Sequence, residues 1–497
     1  MEEKRDEASY SHVLKYTGIF GGVQGLTMLI SLVRNKFMAL LLGAEGMGFA
    51  SLMSSVQNFS ALSTNLGISF GAVPRLSELH EQPDKLAYNI QIIRIWSLIA
   101  AALGFLFSIV ISPLINNITF TWGNHTVHYA MLGVSVALMA ITGGETAILK
   151  ATRRLGSLAK IQVFGLLISL VIVLPLYYFF RHSGVVPALV LMALVNMLLT
   201  IGYSYRCHPL HLEYDRAWLR DGFGMIRLGL AFVIAAAIGS AAEMLIRAFL
   251  NVDYGLDAVG FYNAGYMITL TYAGLVFTAM ESDYFPRLSA VNHDIQASNA
   301  TVNRQIEVSL LLLSPMLVAL LMMLPVLIPT LFSNEFLPVV GMTQVAVLAM
   351  FFKVLTLPVA YITLARGYSM SYLLLETTYY VVLVGCVVLG FRLWGIYGTG
   401  VALVAAHVFD FLMIYGYAYW KYSYRSTSTI MYYALVQTTI GFVAYAVSCL
   451  TGGWLYWVSE AALTLVSTAY SVYLLRQKTR LWESLKQRFR AITSRGA

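Results

Sequence analysis

Residues 43–77 read GAEGMGFASLMSSVQNFSALSTNLGISFGAVPRLS, and residues 255–289 read GLDAVGFYNAGYMITLTYAGLVFTAMESDYFPRLS. The two stretches share eight identical positions at a constant offset of 212 residues, and both end in Pro-Arg-Leu-Ser. Glu45 of the first stretch also aligns with Asp257 of the second. The chain therefore contains an internal duplication. In membrane proteins such a duplication is typical of secondary transporters, which hold their substrate between the two copies.

The composition is that of an integral membrane protein. Hydrophobic residues make up 59% of the 497 residues, charged residues make up 11%, and the mean hydropathy is +0.72. Soluble domains carry about 25% charged residues, so this chain cannot present enough polar surface to water. Apolar runs of about 20 residues recur along the chain, and this length crosses a bilayer as a helix. The alternating runs of about 10 residues that form membrane β-barrels do not fit such continuous stretches.

The hydropathy pattern predicts an all-α integral membrane protein with about fourteen transmembrane helices. The predicted spans are 12–33, 46–73, 88–115, 127–149, 158–180, 184–203, 226–250, 258–285, 305–332, 339–364, 370–391, 394–419, 430–451 and 454–475. Six spans precede the loop at 204–225, six follow it before residue 420, and the last two have no counterpart in either copy. Because six is even, the two copies have the same orientation in the membrane and form parallel repeats.

This arrangement predicts four segments along the chain. They are an N-terminal six-helix lobe (1–217), a C-terminal six-helix lobe (218–425), an appended two-helix hairpin (426–475) and a basic tail (476–497). The tail carries apolar residues at helical spacing. It is predicted either to lie along anionic membrane lipid or to be a solvated stop-transfer tail.

The basic residues predict the orientation of the chain. The formal net charge is +8, and most of the 32 Lys and Arg residues fall on the cytoplasmic side when the N-terminus is placed there. The positive-inside rule therefore predicts that both termini are cytoplasmic. The excess positive charge is a topology signal, so we expect no nucleic-acid partner. The stretch 1–6 has mixed charge and no cleavage site follows the first span, so we expect no signal peptide.

Motifs typical of enzymes and metal proteins are missing from the sequence. The three cysteines, Cys207, Cys386 and Cys449, lie in separate segments and indicate neither a disulfide framework nor a metal cluster. The chain has no G-x4-G-K-[ST] motif for ATP hydrolysis. Residues 67–71 match a G-x-S-x-G pattern, but they lie in a predicted span instead of a strand-turn-helix. We expect a transporter, not an enzyme, with no requirement for a cofactor.

Cationic side chains within or at the ends of the predicted spans are candidates for substrate binding. They are Arg34, Lys36, Arg94, Arg247 and Lys353. A charge at the centre of a membrane helix costs about 2.5–3.5 kcal/mol, which a wet cavity or a partner can offset. Because these residues come from both copies, they predict a cavity for an anion, and arginine suits phosphate because it donates two parallel hydrogen bonds.

Each of these cations also has a structural alternative. Arg34, Lys36 and Arg247 could extend to the outer headgroups of the membrane. Arg247 could also pair with Glu243, one turn earlier on the same helix. Arg94 lies near an inner end and could serve only as a topology determinant. Lys353 is the hardest to explain in this way, because apolar residues flank it on both sides.

Embedded acidic residues are candidates for coupling transport to an ion gradient. A buried carboxylate can bind and release H+ or Na+. The candidates for ion coupling are Glu145, Glu243, Glu281 and Asp410, and the embedded set also contains Asp283, Glu376 and Glu460. The structural alternative for any one of them is an ion pair or a hydrogen bond between helices.

The second predicted span carries a polar face. Its polar residues at helical spacing are Ser51, Ser55, Asn58, Asn65 and Ser69. Such a face either lines a wet cavity or joins neighbouring helices by hydrogen bonds. Asn58 is the candidate substrate-binding residue of this face.

Two motifs resemble those of a known family. Residues 41–48 read LLGAEGMG after a first span with a basic end, which resembles the L-L-G-x-x-G-x-G signature of Wzx-type polysaccharide flippases. Residues 148–155 read ILKATRRL and are similar to the basic fourth loop of that family. The parallel six-helix lobes are similar too, so the resemblance covers about residues 12–420. These flippases belong to the multidrug/oligosaccharidyl-lipid/polysaccharide exporter superfamily, together with multidrug-extrusion antiporters and the peptidoglycan lipid flippase.

The resemblance implies two lobes in a V shape that open alternately to the two sides of a bacterial cytoplasmic membrane. The implied substrate is an undecaprenyl-diphosphate-linked oligosaccharide, moved to the outer leaflet for assembly of O-antigen lipopolysaccharide or a related glycan. The five embedded cations would then hold the diphosphate. Such flippases usually have twelve helices. Fourteen helices resemble the peptidoglycan lipid flippase, whose added pair forms a lipid-binding groove.

Two other functions compete with this interpretation. A cation-coupled multidrug exporter would have an acidic, aromatic-lined cavity in the first half of the chain, whereas Glu145 is the only embedded carboxylate there. A membrane-embedded glycan polymerase or ligase usually carries a large outer loop for catalysis. The outer segments predicted here are short, including the stretch 116–126.

Overall fold

The computed structural model of this protein describes residues 2–79, 82–120, 123–210 and 217–478. Side chains are described from residue 25 onward, except at several positions between 69 and 81, at residue 155, and within the stretches 217–231 and 272–283. The predicted tail therefore lies almost entirely outside the described residues.

Within these ranges the chain contains fourteen α-helices and no strand. The helices are α1 (Glu2–Thr64), α2 (Ile68–Glu78), α3 (Pro83–Thr119), α4 (Thr126–Ala151), α5 (Leu155–Phe180), α6 (Val185–Cys207), α7 (Ala217–Tyr254), α8 (Leu256–Tyr266), α9 (Ala273–Ala290), α10 (Ile295–Leu331), α11 (Val339–Ala365), α12 (Ser369–Tyr422), α13 (Ser428–Leu450) and α14 (Gly453–Lys478).

Short interruptions divide or join these helices. α1 is broken at Gly43 and α12 at Trp394–Gly395, where the backbone leaves helical geometry. A 3-10 turn at Arg181–Gly184 separates α5 from α6, and a π-helical segment at Met267–Tyr272 joins α8 to α9. The predicted span 46–73 includes the break between α1 and α2, where Leu66 and Gly67 have positive φ. With the breaks described, each of the other thirteen predicted spans falls on a helical stretch of its own.

Ten helical stretches among the described residues are long and apolar enough to cross a membrane. Three of them contain 40, 52 and 54 residues. Since about 20 residues cross a bilayer once, each of these three is long enough for two passes. The prediction of an all-α integral membrane protein is confirmed.

The described chain divides into two compact units. The first unit contains residues 1–264, 328–338 and 369–388, and the second contains residues 265–327, 339–368 and 389–497. The four-segment division drawn from the sequence stays a prediction. A cluster of buried apolar side chains from α1, α3, α4, α5 and α6 forms much of the core of the first unit.

Both copies of the duplication begin with a glycine in the left-handed region of backbone conformation. The φ angle is 68° at Gly43 and 90° at Gly255. A side chain at either position would be strained, because L-residues with a Cβ rarely adopt positive φ. The duplicated sequence therefore begins each copy with the same break between helical segments.

Within the first unit, the two copies cross at a second pair of equivalent glycines. A Cβ on Gly48 would overlap the carbonyl oxygen of Leu256, and a Cβ on Gly260 would overlap the carbonyl oxygen of Ala44. Ala44 and Leu256 are themselves equivalent positions of the duplication. The copies thus make the same contact in both directions, as residues around a local two-fold axis do. Glycine at both positions allows the backbones of α1 and α8 to approach this closely.

We expect Gly48→Ala to destabilise the protein, because the added methyl group must push apart two backbones that cannot yield as a flexible side chain would. Overpacking of this kind typically costs about 1–3 kcal/mol. The measurement is the thermal unfolding temperature of the detergent-solubilised protein, followed by tryptophan fluorescence. The control is Gly202→Ala in α6, where the added Cβ meets nothing within 4 Å. Equal unfolding temperatures for the two variants would contradict the proposed role of the crossing.

Candidate functional site

Arg247 on α7 lies at the crossing of the two copies, in the first unit. Its Nε donates a hydrogen bond to Oγ of Ser51 at 2.8 Å, and the Ser51 hydroxyl donates to Oδ1 of Asn263 at 2.8 Å. Nη1 of Arg247 is 3.2 Å from a carboxylate oxygen of Glu243, and Cζ lies 6.0 Å from the ring centroid of Tyr262. We call these five residues the Arg247 cluster. Ser51 and Asn263 are equivalent positions, so the duplication itself supplies the polar contact of this cation.

The Arg247 cluster holds a desolvated cation beside an accessible carboxylate. The side chain of Arg247 is 6% exposed, whereas that of Glu243 is 35% exposed. The pairing one turn apart that the sequence suggested for these residues is present. Because Ser51 is neutral, the negative charge beside Arg247 comes from Glu243, which is the more exposed residue of this ion pair. Such a carboxylate can exchange with another anion more readily than a buried one.

The break at Gly43 is tied to the segment 328–338 of the same unit. The backbone N–H of Ala44, where the helix resumes, donates to a carboxylate oxygen of Glu335 at 3.2 Å. Nζ of Lys36, before the break, donates to the carbonyl oxygen of Pro329 at 3.0 Å. A carboxylate at a helix N-terminus is favourable because it accepts from unpaired N–H groups and faces the positive end of the helix dipole. The first glycine of the L-L-G-x-x-G-x-G motif thus has a structural explanation.

Arg34 is a second cation of α1, two residues before Lys36. It is half-buried and lies close enough to Tyr177 of α5 for its charge to act on that hydroxyl. Among the described residues it has no hydrogen-bond or ion-pair partner. A half-buried guanidinium without a carboxylate is available to an anionic ligand.

Arg94 and Glu145 form a closed ion pair between α3 and α4. Nε of Arg94 is 2.9 Å from Oε1 of Glu145, and both side chains are at most 5% exposed. The guanidinium also donates to the carbonyl oxygens of His208 at 2.7 Å and Pro209 at 3.1 Å. The second oxygen of Glu145 accepts from the Ser204 hydroxyl at 2.6 Å. The sequence assigned these residues to substrate binding and ion coupling separately, and the structure brings them together.

The Arg94–Glu145 pair therefore joins α3 and α4 to the end of α6. All three nitrogens of the guanidinium and both oxygens of the carboxylate have a partner. His208 follows α6, where burial, and then the charges of Arg94 and Arg154, hold the pKa of its imidazole below the ordinary value. The imidazole is therefore neutral at neutral pH and adds no positive charge beside the guanidinium.

We expect Arg94→Met to lower the free energy of unfolding by about 3–5 kcal/mol, because it leaves the Glu145 carboxylate buried without its ionic partner. The double variant Arg94→Met/Glu145→Met removes both charges and should recover most of the stability. Thermal unfolding in detergent measures both changes. The matched control is Arg220→Met, since the side chain of Arg220 is 85% exposed. A double variant as unstable as Arg94→Met alone would show that the pair does not act as a unit.

Lys353 lies on α11 in the second unit, near a buried histidine. Its Nζ is 5.7 Å from the ring centroid of Phe277, and its charge acts on His407 of α12. His407 is 4% exposed, and its Nδ1 is 2.9 Å from the carbonyl oxygen of Leu403. Asp410 follows His407 by three residues and so lies on a neighbouring part of the same helix face. His407 is absent from the sequence prediction, since a single histidine in an apolar helix gives no signal of a lysine neighbour.

The remaining predicted residues lie apart from these groups. Asn58 is exposed and is not a member of the Arg247 cluster. Ser55 of the same polar face is buried and donates to the carbonyl oxygen of Leu52 on its own helix. Glu281, a candidate for ion coupling, falls among the residues whose side chains are not described.

A pocket of about 650 Å³ lies between α4, α5 and α6 of the first unit, with a lining that is mostly apolar and contains several polar side chains. Its polar lining residues are Thr142, Thr146, Lys150, Gln162, Asn196 and Thr200. Gln162 is exposed and Asn196 is half-buried, so amide groups are available to a ligand. The sequence prediction lacks this cavity. The four-residue spacing of Thr142, Thr146 and Lys150 was the signal for it, because it places three polar side chains on one face of α4.

The family of the chain follows from a comparison of sequences. The profile of a family described as polysaccharide biosynthesis protein matches residues 37–341, which is more than half of the chain. The chain belongs to this polysaccharide biosynthesis family. The match includes α1 from Phe37, both copies of the duplication and the Arg247 cluster. A comparison with curated proteins finds no significant match.

Solved structures show the fold of this polysaccharide biosynthesis family member. A multidrug resistance MATE family transporter of the MOP superfamily, in an inward-facing conformation, matches with a TM-score of 0.65 at 16% identity, over 80% of this chain and 94% of that chain. The lipid II flippase MurJ, in an inward closed conformation, matches with a TM-score of 0.63 at 13% identity, over 92% of this chain and 99% of that chain. The resemblance drawn from the sequence is confirmed, and the protein is a multi-pass membrane protein with a transporter fold.

Proposed function

We propose that this protein is a flippase, a membrane transporter and not an enzyme. It moves an undecaprenyl-diphosphate-linked oligosaccharide from the inner to the outer leaflet of a bacterial cytoplasmic membrane by ion-coupled alternating access. Both termini are cytoplasmic in this proposal, and the glycan serves O-antigen lipopolysaccharide or a related polysaccharide. Membership of the polysaccharide biosynthesis family and the transporter fold support the proposal.

The observation that carries the proposal is the burial of Arg247 against Ser51 and Glu243. A buried guanidinium in a membrane protein is costly unless it has partners, and here its ionic partner is the more exposed Glu243. A diphosphate that replaced this carboxylate would gain charge-assisted, bidentate hydrogen bonds. Arg34 on α1, which has no ionic partner among the described residues, and Lys36 would contact the same class of anion.

Glu243 is the proposed coupling residue of this unit. When a diphosphate takes its place on Arg247, the carboxylate loses its counter-charge and gains affinity for H+ or Na+. Release of the substrate restores the ion pair and expels the ion. Binding of the substrate at Arg247 and binding of the ion at Glu243 are therefore linked within one cluster. Glu281 and Asp410 remain candidates for coupling, whereas Glu145 is committed to Arg94 in the conformation described.

The cavity of α4, α5 and α6 is the proposed site for the sugar headgroup. Sugar hydroxyls are recognised by neutral donors and acceptors, and the cavity provides amides and hydroxyls from Gln162, Asn196 and Thr146. Lys150 lies at the cytoplasmic end of α4 in the proposed topology, where it can contact the diphosphate of a substrate that arrives from the inner leaflet.

The test is a flipping assay in proteoliposomes with a labelled polyprenyl-diphosphate oligosaccharide, followed by its accessibility to an outside reagent. We expect Arg247→Ala to lower the initial rate about 10-fold or more, because a hydrogen bond to a charged group contributes about 1.5–3 kcal/mol. The matched control is Arg220→Ala, an exposed arginine whose loss should leave the rate unchanged. No transfer by the folded wild type would contradict the function. Equal rates for Arg247→Ala and the control would contradict the role of the cluster.

The same vesicles test the competing function. A fluorescent organic cation replaces the lipid-linked glycan, and accumulation driven by an ion gradient is recorded. Transport of the cation, with no transfer of the lipid-linked glycan, would identify a cation-coupled multidrug exporter instead.

A second variant tests the sugar site. We expect Gln162→Leu to slow transfer of the oligosaccharide-bearing lipid while leaving transfer of a polyprenyl diphosphate without sugars unchanged, because the lost amide contacts only the headgroup. The matched control is Gln477→Leu, an exposed glutamine near the end of α14. Equal rates for the two variants on the oligosaccharide-bearing lipid would remove the cavity from the proposal.

A further inference from the structure

Glu460 is a fully buried acid in the last helix of the protein. It lies on the second turn of α14 with 0% of its surface exposed. The surrounding stretch is one of those long and apolar enough to cross a membrane. An ionisable side chain at such a place requires an explanation, because lipid-embedded charge is costly and usually functional.

Neither carboxyl oxygen of Glu460 has a hydrogen-bond partner among the described residues, and none of them forms an ion pair with it. The hydroxyls nearest along the helix are bonded to backbone carbonyls: Thr464 donates to the carbonyl oxygen of Glu460 at 2.9 Å, and Ser459 donates to that of Leu455 at 2.7 Å. The hydroxyl of Tyr456, one turn earlier, is engaged as well. It donates to the carbonyl oxygen of Met322 on α10 at 2.9 Å, and it is hydrogen-bonded to Gln344 on α11. The Tyr456 hydroxyl, which could have stabilised a carboxylate here, is therefore bonded to neighbouring helices instead.

Other polar groups inside the same hairpin have partners. Gln437 on α13 donates to the hydroxyl of Ser471 at 2.8 Å, and its carbonyl oxygen accepts from Ser467 at 2.7 Å. The two helices thus satisfy a buried amide with two hydroxyls across their interface. The same interface provides no such partner for Glu460, which lies two turns before Ser467.

The physical consequence is that the carboxyl group must carry a proton. Burying an ionised carboxylate without a partner is far more costly than burying the neutral acid, and protonation removes that cost. A divalent cation would need several oxygen or nitrogen ligands, and the described residues contain no group of three or more His, Cys, Asp and Glu that could hold one. A proton needs no further ligand, so a single isolated carboxylate can hold it.

We propose that Glu460 is a proton-binding site of the C-terminal hairpin. It is the neutral acid while α14 packs against α10 and α11, and loss of the proton weakens this packing. The groups that face this region are Tyr456 on its own helix, the Met322 carbonyl of α10 and the Gln344 amide of α11. Of these only the phenol titrates, and a phenol is neutral at physiological pH. The site goes beyond the proposed function, since it binds a proton whatever the cargo is.

The first test is infrared spectroscopy of the purified full-length protein in lipid nanodiscs. We expect the wild-type spectrum at neutral pH to contain the carbonyl stretch of a protonated carboxylic acid, and the intensity contributed by Glu460 to be missing from the spectrum of Glu460→Gln. The matched control is Glu45→Gln, which replaces an exposed carboxyl side chain and should leave this band unchanged. Identical wild-type and Glu460→Gln spectra in this region would overturn the proposal.

Thermal unfolding supplies a second readout. The folded state holds the proton of a buried acid more tightly than the unfolded state does, so raising the pH must destabilise the folded wild type. Glutamine resembles the protonated acid in shape and cannot lose a proton, so Glu460→Gln should fold and should lack this part of the alkaline destabilisation. If wild type and Glu460→Gln lose stability in parallel as the pH rises, Glu460 is not the group responsible and the proposal fails.

Neither measurement requires transport, so a failed flipping assay does not affect them. Within the flippase, we expect Glu460→Gln to change how the rate depends on pH, whereas Arg247→Ala lowers the rate at every pH. A pH profile identical to that of the wild type would leave the proton site without a role in transport and would overturn its functional part.

Discussion

A charged or polar group buried in a membrane protein must find its partner within the protein, because lipid offers none. The described chain meets this constraint in three different ways. Arg94 and Glu145 bind each other, and a hydroxyl and two backbone carbonyls complete their hydrogen bonds. Arg247 is held by a neutral serine and a more exposed carboxylate. The carboxyl group of Glu460 has no hydrogen-bond or ion-pair partner among the described residues, and in our proposal it carries a proton. These three arrangements correspond to a structural ion pair at Arg94, the proposed anion exchange at Arg247 and the proposed proton binding at Glu460.

The duplication explains the position of Arg247, the residue on which the proposed anion exchange takes place. Equivalent glycines bring the two copies into backbone contact, and one turn further along the equivalent positions Ser51 and Asn263 hydrogen-bond to each other. Arg247 enters this contact from α7 and uses the serine as its neutral partner. A polar group on a local symmetry axis is necessarily met by its counterpart from the other copy. The Arg247 cluster therefore combines two equivalent positions of the duplication with an arginine that bonds to only one of them.

In the proposed mechanism the substrate's diphosphate replaces the Glu243 carboxylate on Arg247. This requires that the substrate-free protein be neither too stable nor too unstable. A fully satisfied ion pair such as Arg94–Glu145 would resist opening, since separating buried partners costs several kcal/mol. A buried cation without any counter-charge would destabilise the protein whenever no substrate is bound. The intermediate exposure of Glu243 lies between these extremes. A separate reason applies to Arg34: this side chain is half-buried and has no ionic partner among the described residues, so an anionic substrate can contact it without displacing a carboxylate.

The sequence by itself determined the helical class, the places of the fourteen spans, the duplication, and the set of charges that must be explained, because all of these depend on hydrophobic length and on local patterns. It also indicated the Arg247–Glu243 pair, since a spacing of four residues brings side chains together on any helix. Only the tertiary structure decided that Arg94 meets Glu145, that Ser51 supports Arg247, and that Glu460 stands alone. These facts depend on how each helix is rotated about its axis and which helix it packs against, and hydropathy does not encode either one.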